Sequence, residues 1–415
     1  MSKVLPSLSA LLVSAAILLA GSGLQGTLVA IRATIEGFDL AVVGLMMSGY
    51  YCGFIVGCLI SPYFVRRVGH IRCFAAMCAM ASAAALIYPL VIDPIVWFAL
   101  RLATGFCFAG LYMIIESWIN ERADNENRGR VLSVYRMVDL SAITAGQLLV
   151  TVLPPTRFEL FSLIAILTAL AIIPVSLIKS IDPSPLVRTK LDLSKLLRLS
   201  PLAAAGVTTS GLANGAIWAL GPVYVQGLGY SLNAVAAFMS VFVIGGFVGQ
   251  WPINLLSDSF DRRKVILCAA GFAFLSGFIP MGLASEGLVG LLVGIIGFGF
   301  FSLTLFGLSA AHANDHAEPE EFVSVSGGLL LLFGLGSALG PLAASAFVDA
   351  LGLEYLLSYT QLIFSLFIVF GISRLLFAEG VPEQDQRTYA PFIKTSPQVM
   401  ELSPNPDDEG PEQDQ

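Results

Sequence analysis

Twelve long apolar runs constrain this chain more than any other feature of its sequence. They occupy residues 8–31, 41–64, 72–92, 95–119, 131–153, 158–178, 201–225, 233–256, 265–284, 287–311, 322–348 and 354–377. A helix needs roughly 20 apolar residues to cross the hydrocarbon core of a bilayer, and every run reaches that length. The spacing therefore predicts an all-α integral membrane protein with twelve transmembrane helices.

Composition excludes the soluble alternative. Of the 415 residues 56% are hydrophobic and only 12% are charged, which is too little charge to wet the surface of a soluble protein of this size. The 40 glycines suit helices that pack closely in lipid. The first run is longer than the apolar core of a signal peptide, and more runs follow it, so we interpret it as the first membrane span.

The runs divide the chain into four segments. Residues 1–178 form a predicted N-terminal six-helix bundle, 179–200 a linker on the cytoplasmic side, and 201–378 a C-terminal six-helix bundle. Within the linker, residues 191–198 have the pattern of a short amphipathic helix. Residues 379–415 hold nine acidic and two basic side chains among prolines and glutamines, which predicts a disordered, solvated tail.

The basic residues predict the orientation. If the N-terminus is cytoplasmic, 19 of the 22 Lys and Arg residues lie on or next to the cytoplasmic side. Only Arg32 and Arg157 fall in loops on the other side, and Arg101 lies within a span. This positive-inside bias predicts a multi-pass membrane protein with both termini in the cytoplasm.

The two halves resemble each other. A shift of 192 residues matches Gly53 with Gly245, Gly57 with Gly249, and Gly105 with Gly297. Such parallel repeats are typical of transporters that work by alternating access. The same shift places Arg101 on Val293 and Glu116 on Leu308, so neither charge recurs in the second half.

Two polar loops occupy equivalent places after spans 2 and 8. The second holds Asp258, Arg262 and Arg263, and the first holds Arg66, Arg67 and Gly69. The second loop resembles the loop signature of the major facilitator superfamily, in which an acid precedes a basic pair. The first departs from it, because Arg66 stands where the acid is expected. We interpret Asp258, Arg262 and Arg263 as a structural or gating latch, with substrate binding as the alternative. Together with Arg66, Arg67 and Gly69 they form the predicted gating and loop motif.

Three further motifs refine the resemblance. Arg101-Leu-Ala-Thr-Gly105 is similar to the span-4 arginine motif of that superfamily, while Gly249-Gln-Trp-Pro252 and Glu116-Ser-Trp118 resemble its bacterial YcaD-like branch. The resemblance implies the major facilitator fold with two pseudo-symmetric six-helix bundles. It also implies a location in a bacterial inner membrane and a secondary transporter rather than an enzyme. Span 5 lacks the Gly-Pro motif of drug/proton antiporters, which argues against a drug-efflux role.

Polar side chains within the spans are the candidate substrate contacts, because such groups are costly in a bilayer. We expect Arg101 to contact an anionic or polar substrate, with a tie to backbone carbonyl groups as the alternative. The other candidates, each with simple packing as its alternative, are Gln25, Tyr112, Gln147, Asn214 and Trp218.

Two acidic residues within the spans are candidates for proton coupling. Burial would raise the affinity of Glu116 or Asp139 for a proton, which is what a proton carrier needs. Arg136 lies one helical turn before Asp139, so a purely structural salt bridge is the alternative.

The sequence thus predicts a secondary active transporter that moves a small polar or amphipathic solute by alternating access. An uncoupled facilitator and a transporter-like sensor or scaffold are the alternatives. We expect a monomer whose partners are its solute, the lipid bilayer and, in the coupled version, protons. No phosphate-binding loop, metal-ligand spacing or basic nucleic-acid patch is present in the sequence, so we expect no cofactor, metal or nucleic acid.

Overall fold

The structure is a computed structural model, and it describes residues 4–122, 128–177, 193–283, 287–318 and 321–377. Within these ranges every regular element is a helix. The first half contains α1 (Val4–Ile35), α2 (Leu40–Val68), α3 (His70–Ile87), α4 (Pro94–Arg122), α5 (Arg128–Leu149), α6 (Glu159–Leu170) and α7 (Ile172–Ser176).

The second half follows a short helix in the linker region, α8 (Leu193–Leu199). It contains α9 (Pro201–Gly227), α10 (Leu232–Ser259), α11 (Arg262–Ser276), α12 (Ile279–Gly282), α13 (Leu288–Ser302), α14 (Leu305–Asn314), α15 (Phe322–Leu351), a 3₁₀ turn (Leu353–Tyr355) and α16 (Leu356–Phe377). The twelve predicted runs therefore correspond to twelve helical spans, of which three are broken into two helices.

Nine spans of the described chain are long and apolar enough to cross a membrane by themselves. The other three are α5, α9 and the α11–α12 pair. Helix α5 carries Arg136 and Asp139, α9 is rich in glycine, serine and threonine, and α11 is only 15 residues long. In lipid such helices depend on their neighbours, which cover polar groups that the hydrocarbon would not tolerate.

The broken spans expose backbone groups that need partners. Span 6 breaks between α6 and α7, and the hydroxyl of Ser14 in α1 donates a hydrogen bond to the carbonyl of Ala171 at 2.6 Å. Span 10 breaks after Ser302, whose carbonyl accepts a hydrogen bond from the Nδ2 of Asn214 in α9 at 3.1 Å. Unsatisfied carbonyl groups at a helix end are costly away from water, so both polar side chains stabilise a break.

Glycines place the helix pairs of the two halves in matching positions. A Cβ atom added at Gly53 would overlap the carbonyl group of Leu102, and one added at Gly245 would overlap that of Ile296. The same matching holds between other helix pairs: Gly57–Phe106 with Gly249–Phe300, Gly105–Tyr50 with Gly299–Phe242, Gly23–Ile143 with Gly215–Ser337, and Gly146–Ala20 with Gly340–Leu212. The backbone packing of the first bundle is thus repeated in the second.

These matched contacts correct the predicted repeat. The shift is 192 residues for spans 1 and 2, as expected, but 194 residues for spans 4 and 5, because Gly105 corresponds to Gly299 and not to Gly297. The counterpart of Arg101 is therefore Ile295 rather than Val293, and that of Glu116 is Ala310 rather than Leu308. Two additional residues between spans 8 and 10 are invisible to a fixed shift, and the counterparts remain uncharged.

The two halves meet mainly along three helix pairs, α1 with α9, α2 with α15, and α5 with α10, and α2 also contacts α9. We call the end of the bundle where α2 and α10 finish the basic face, since it holds Arg66, Arg67, Arg262 and Arg263. The other end, where α1 finishes at Ile35, is the opposite face. The interface between the halves is where a solute site would be accessible to both faces in turn.

Candidate functional site

A cavity of about 170 Å³ lies between the two halves. Helices α1, α2, α4 and α5 of the first half and α9 and α10 of the second contribute its walls. It lies closer to the opposite face than to the basic face, because its lining residues come from the opposite-face portions of α2, α4 and α10. Solute sites of this fold class are expected at such an interface between repeats.

The wall from the first half is polar. Arg101 extends from α4 into the cavity, and Gln25 of α1 and Gln147 of α5 line it from neighbouring helices. Both glutamines are buried, and the Nε2 atom of each has no hydrogen-bond partner among the described residues. A buried amide group without a hydrogen-bond partner is costly. These two amides can therefore gain a partner when a polar group binds at this wall.

Arg101 has an unusual environment for a charged residue. Its side chain is only 4% exposed, and no acidic residue of the described chain pairs with it. Its guanidinium carbon lies 4.8 Å from the centre of the Tyr50 ring, a cation–π contact, and its Nε atom has no hydrogen-bond partner there. Such a contact offsets only part of the cost of burying a charge.

Three tyrosines share the cavity with the arginine, and two of them, Tyr50 and Tyr51, interact with it electrostatically. Tyr50, Tyr51 and Tyr112 all line the cavity. The hydroxyls of Tyr50 and Tyr112 interact with each other and with that of Ser22, also at the cavity wall. Hydroxyl groups both donate and accept hydrogen bonds, so this cluster can bind a polar solute group beside the guanidinium.

The wall from the second half is apolar apart from one indole NH group. It consists of Trp218 and Ala219 of α9 and Met239 of α10. Trp218 packs edge-on against Phe242, with ring centres 5.5 Å apart, which holds the indole in place. No acidic side chain lines either wall of this cavity, so Arg101 determines the sign of its charge.

The structure brings five of the six predicted substrate contacts to one cavity: Arg101, Gln25, Tyr112, Gln147 and Trp218. Asn214, the sixth candidate, does not line this cavity. Its amide donates to Ser210 Oγ at 3.0 Å and to the Ser302 carbonyl. The break in span 10 explains the difference, because it creates a buried acceptor that sequence periodicity does not reveal.

Sequence reasoning missed Tyr50 and Tyr51. Both lie in an apolar run whose glycines suggested packing alone, and aromatic residues are common in such runs. A sequence signal for Tyr50 does exist. It follows Gly49, which packs closely against α4, the helix that carries Arg101.

The two candidate proton carriers lie behind the polar wall. Glu116 is fully buried in α4, and Asp139 is buried in α5. Asp139 accepts a hydrogen bond from Arg136 at 2.7 Å, so the pair that the sequence suggested is formed. Asp139 also interacts electrostatically with Tyr112, which connects this carboxylate to the cavity wall.

The loop between α10 and α11 forms a buried charge cluster. Arg262 is 1% exposed and donates two hydrogen bonds to the carboxylate of Asp315, at 2.6 and 2.7 Å. It also donates to Asp258 at 3.2 Å and to Ser257 Oγ at 2.9 Å. Because Asp315 follows α14, the cluster connects spans 8, 9 and 10 within the second half.

Neighbouring groups in that loop are held locally. Arg263 pairs with Asp261 at 2.9 Å, and the Asp261 side chain accepts the backbone NH of Arg263 at the start of α11. Partial burial alone would raise the pKa of Asp261, but the hydrogen bonds from Arg263 outweigh it and keep the pKa below its ordinary value.

The equivalent loop of the first half is built differently. Arg66 is exposed and donates to the carbonyl of Pro62 within α2, and Arg67 is exposed and contacts the hydroxyl of Tyr63 at 3.3 Å. Gly69 joins α2 to α3 with a φ of 85°, a conformation that favours glycine. The two loops therefore differ, with a buried charge cluster in the second half and exposed arginines in the first.

The apolar core shows which side of the cavity is closed. Towards the opposite face one cluster includes residues of both halves, among them Ile31 and Val43 with Val225 and Val348. Towards the basic face each half has a separate cluster of its own, around Met113 in the first and Phe306 in the second. The cluster that joins the two halves thus does so through first-half residues on the opposite-face side.

A close contact between α2 and α15 contributes to that closure. A Cβ atom added at Gly44 would overlap the side chain of Ser345 and approach the carbonyl oxygen of Pro341 to 2.7 Å. Gly44 lies near the start of α2, and Ser345 near the end of α15, so this contact is at the opposite face. The absence of a side chain at Gly44 allows the two halves to meet there.

Comparisons with known proteins agree with this architecture. The Uncharacterized MFS-type transporter YcaD of Escherichia coli O6:K15:H31 is 28% identical over 317 residues, which cover 76% of this chain and 82% of that protein. The crystal structure of a point mutant of the nucleoside transporter NupG superposes with a TM-score of 0.74 at 13% identity, over 90% of this chain and 100% of that one.

A second solved structure has the same fold. A bacterial homologue of the human lysosomal transporter Spinster, in an inward-facing and unoccupied conformation, superposes with a TM-score of 0.67 at 14% identity, over 92% and 97% of the two chains. The Major Facilitator Superfamily model matches residues 11–250 and 203–401. The matches cover both halves, and they agree with the helical fold and with a role in membrane transport rather than catalysis. The chain belongs to the Major Facilitator Superfamily.

Proposed function

We propose that the protein is a secondary transporter that moves a small polar or amphipathic solute through the central cavity by alternating access. The observation that carries the proposal is the cavity itself, which lies between two pseudo-symmetric bundles and contains a buried arginine. The bundles share an apolar cluster towards the opposite face, whereas the two clusters towards the basic face do not combine residues of both bundles. Rocking of one bundle against the other would open the cavity to each face in turn.

We assign the basic face to the cytoplasm, because short cytoplasmic loops attract an excess of Lys and Arg. Single cysteines at Glu36 and Asp93, on the opposite face, should react with a membrane-impermeant thiol reagent in intact cells when the six native cysteines are replaced. A cysteine at Arg66 should react only after permeabilisation. Labelling of position 66 in intact cells would reverse the assignment, and the structure would then be open to the outside.

Proton coupling is the form of drive that the buried carboxylates support best. Asp139 interacts with both Arg136 and the cavity residue Tyr112, so its proton occupancy would affect the electrostatic potential at the cavity. In reconstituted vesicles a pH gradient should accelerate solute flux through the wild type but not through Asp139→Asn. If the variant retains the full response, Glu116→Gln is the next variant to test, and a wild type indifferent to pH is an uncoupled facilitator.

The transport proposal can be tested without knowing the solute. Liposomes that contain the purified full chain are loaded with a cellular metabolite extract, and efflux is followed by mass spectrometry against protein-free liposomes. We expect at least one metabolite to leave faster when the protein is present. Equal efflux of all metabolites would contradict transport and favour the sensor or scaffold alternative.

A matched pair of glycine variants tests alternating access in the same assay. In Gly44→Trp, the indole should prevent α2 and α15 from closing at the opposite face, so that flux is lost although the protein stays monodisperse. In Gly271→Trp, flux should persist, because nothing lies within 4 Å of a Cβ atom at Gly271. Full flux through a folded Gly44→Trp protein would show that this closure is not part of the cycle.

A further inference from the structure

We propose, building on the transport function above, that the solute is a small organic carboxylate with an apolar body. Its carboxylate binds Arg101 and the amides of the first-half wall, and its body packs against Trp218 and Met239 of the second-half wall. The solute would then connect the two bundles, with each end bound by a different half.

The charge of the cavity is the first argument. Arg101 is buried and has no acidic partner among the described residues, and no acidic side chain lines the cavity. A cationic solute would meet an unopposed positive charge in a medium of low dielectric constant. An anionic solute would compensate the guanidinium, and the planar fork of arginine matches the two oxygen atoms of a carboxylate.

The unsatisfied amides are the second argument, and they are independent of charge. The Nε2 atoms of Gln25 and Gln147 lack hydrogen-bond partners in the described chain, although both side chains are more than nine-tenths buried. Both line the same cavity as Arg101. An amide NH₂ group is a donor, so the oxygens of a carboxylate can accept hydrogen bonds from both amides and from Arg101. The Oε1 atom of Gln147 also lacks a partner in the described chain, and it is an acceptor that such a ligand does not satisfy.

The second-half wall of the cavity indicates the chemistry of the other end of the solute. Trp218, Ala219 and Met239 offer an aromatic face and flexible apolar surface, with the indole NH of Trp218 as the single polar group. A second polar group on the solute would lose its hydration there without enough partners to replace it. The wall therefore favours an alkyl or aryl body and disfavours a sugar, a nucleoside or a dicarboxylate.

The size of the cavity limits the body. A volume of about 170 Å³ admits on the order of ten non-hydrogen atoms, if a buried water needs roughly 10–15 Å³ on the same measure. A carboxylate with a phenyl group or a chain of several methylene groups fits this space. A lipid with two acyl chains does not.

Calorimetric titration of the purified full chain tests the proposal with matched probes. The probes are 3-phenylpropanoate, 3-phenylpropan-1-ol, 3-phenylpropylamine, hexanoate and acetate. We expect the best carboxylate to bind at least about tenfold more tightly than its alcohol, as a charge-assisted contact implies, and the amine to bind least. Acetate should bind more weakly than either larger carboxylate. Binding of the alcohol or amine as tight as that of the carboxylates, or no binding of any carboxylate, overturns the proposal.

Variants separate the two ends of the site. Arg101→Gln should abolish the preference for carboxylate over alcohol, Arg101→Lys should restore it only in part, and Arg157→Gln, at an exposed pair with Glu159, should leave it unchanged. Trp218→Ala should reduce the advantage of 3-phenylpropanoate over acetate and keep the preference for charge. Trp251→Ala should do neither, since Trp251 is 75% exposed on the outside of α10. An intact charge preference in folded Arg101→Gln overturns the assignment of Arg101.

The metabolite efflux assay keeps this proposal separate from the transport function. If the solute that leaves the liposomes is a cation, a sugar or a nucleoside, the protein is a transporter and the carboxylate proposal is wrong. If no solute leaves but carboxylates bind through Arg101, the site is correct and transport is wrong.

Discussion

The two halves of the protein share a backbone scaffold and differ in where they hold charge. In the first half, ionisable groups lie within the spans, with Arg101 at the cavity and Asp139 behind it. The equivalent positions of the second half are Ile295 and Phe333. In the second half the buried charges lie in the loop at the basic face, where Arg262 binds Asp315.

The first-half loop lacks that arrangement. By the shift of 192 residues His70 corresponds to Arg262, and Arg66 corresponds to Asp258. The comparison teaches that duplication preserved the close glycine contacts that determine helix positions, whereas the charged groups were free to diverge. Each half then has its own polar feature, with the polar cavity wall in the first and the buried Arg262 cluster in the second.

Loss of Arg262 should have the largest effect on stability. Arg262→Ala leaves the carboxylate of Asp315 buried without its bidentate partner, and breaking such a pair costs about 3–5 kcal/mol. The melting temperature of the detergent-solubilised protein should fall clearly. Arg66→Ala, the matched change in the first-half loop, removes an exposed side chain and should cost less than about 0.5 kcal/mol. Equal losses for the two variants would contradict the difference between the loops.

Matched glycine variants should reveal the shared scaffold. Gly53→Ala and Gly245→Ala each add a methyl group that overlaps a backbone carbonyl of the neighbouring helix, so each should cost about 1–3 kcal/mol. Gly271→Ala, where a Cβ atom meets nothing within 4 Å, is the control and should not destabilise the protein by steric overlap. Stability is measured by thermal melting. A large loss of stability for one of the two variants and none for the other would contradict the proposed equivalence of the α2–α4 and α10–α13 contacts.

The start of α11 should depend on its capping residue, whereas the start of α3 has none to lose. Asp261→Ala removes the acceptor for the Arg263 NH and should cost about 1 kcal/mol at neutral pH. Because the folded-state pKa of Asp261 is lowered, its electrostatic contribution is present above the unfolded pKa and disappears as the pH falls through the folded value. The stability difference between wild type and Asp261→Ala should therefore shrink in acid, and a difference that grows there would contradict the assignment.

The contact between α8 and the start of α15 should matter least. Lys195 donates a hydrogen bond to Glu321, and this bond keeps the pKa of Glu321 below its ordinary value. The pair is exposed to solvent, so screening leaves little of the interaction. Glu321→Gln should melt within error of the wild type at neutral pH, and a clear loss would show that the contact of α8 with α15 is needed for stability.

The sequence predicted the secondary structure well because a bilayer imposes one simple rule. Each apolar run had to become a span, and all twelve runs correspond to helical spans in the structure. The short helix predicted at 191–198 is present as Leu193–Leu199, and it packs through Leu196 near Gly328. What the runs could not predict is the break in spans 6, 9 and 10, because an apolar run looks the same whether or not its helix is continuous.

The candidate site was predicted in part for a similar reason. A polar residue in a membrane span needs a partner, so Arg101, Gln25 and Gln147 were identifiable one by one from the sequence. How the helices pack side by side decides that these residues meet at one cavity and that Tyr50 joins them. It also decides that Asn214 instead donates a hydrogen bond to the Ser302 carbonyl. Those contacts join residues far apart in the chain, and the pattern of residues along one helix does not show which distant residues it will touch.

The sequence by itself determined that this chain spans the membrane twelve times, that its halves are repeats, and that charge in its spans is confined to a few residues. The length and composition of each apolar run decide by themselves whether that run crosses the membrane. Only the tertiary structure decided the two-residue difference in the repeat, the closure at the opposite face, and the division of the cavity into a polar and an apolar wall. Each of these follows from close packing between helices, where a missing side chain at Gly44 or Gly53 determines how near two backbones come.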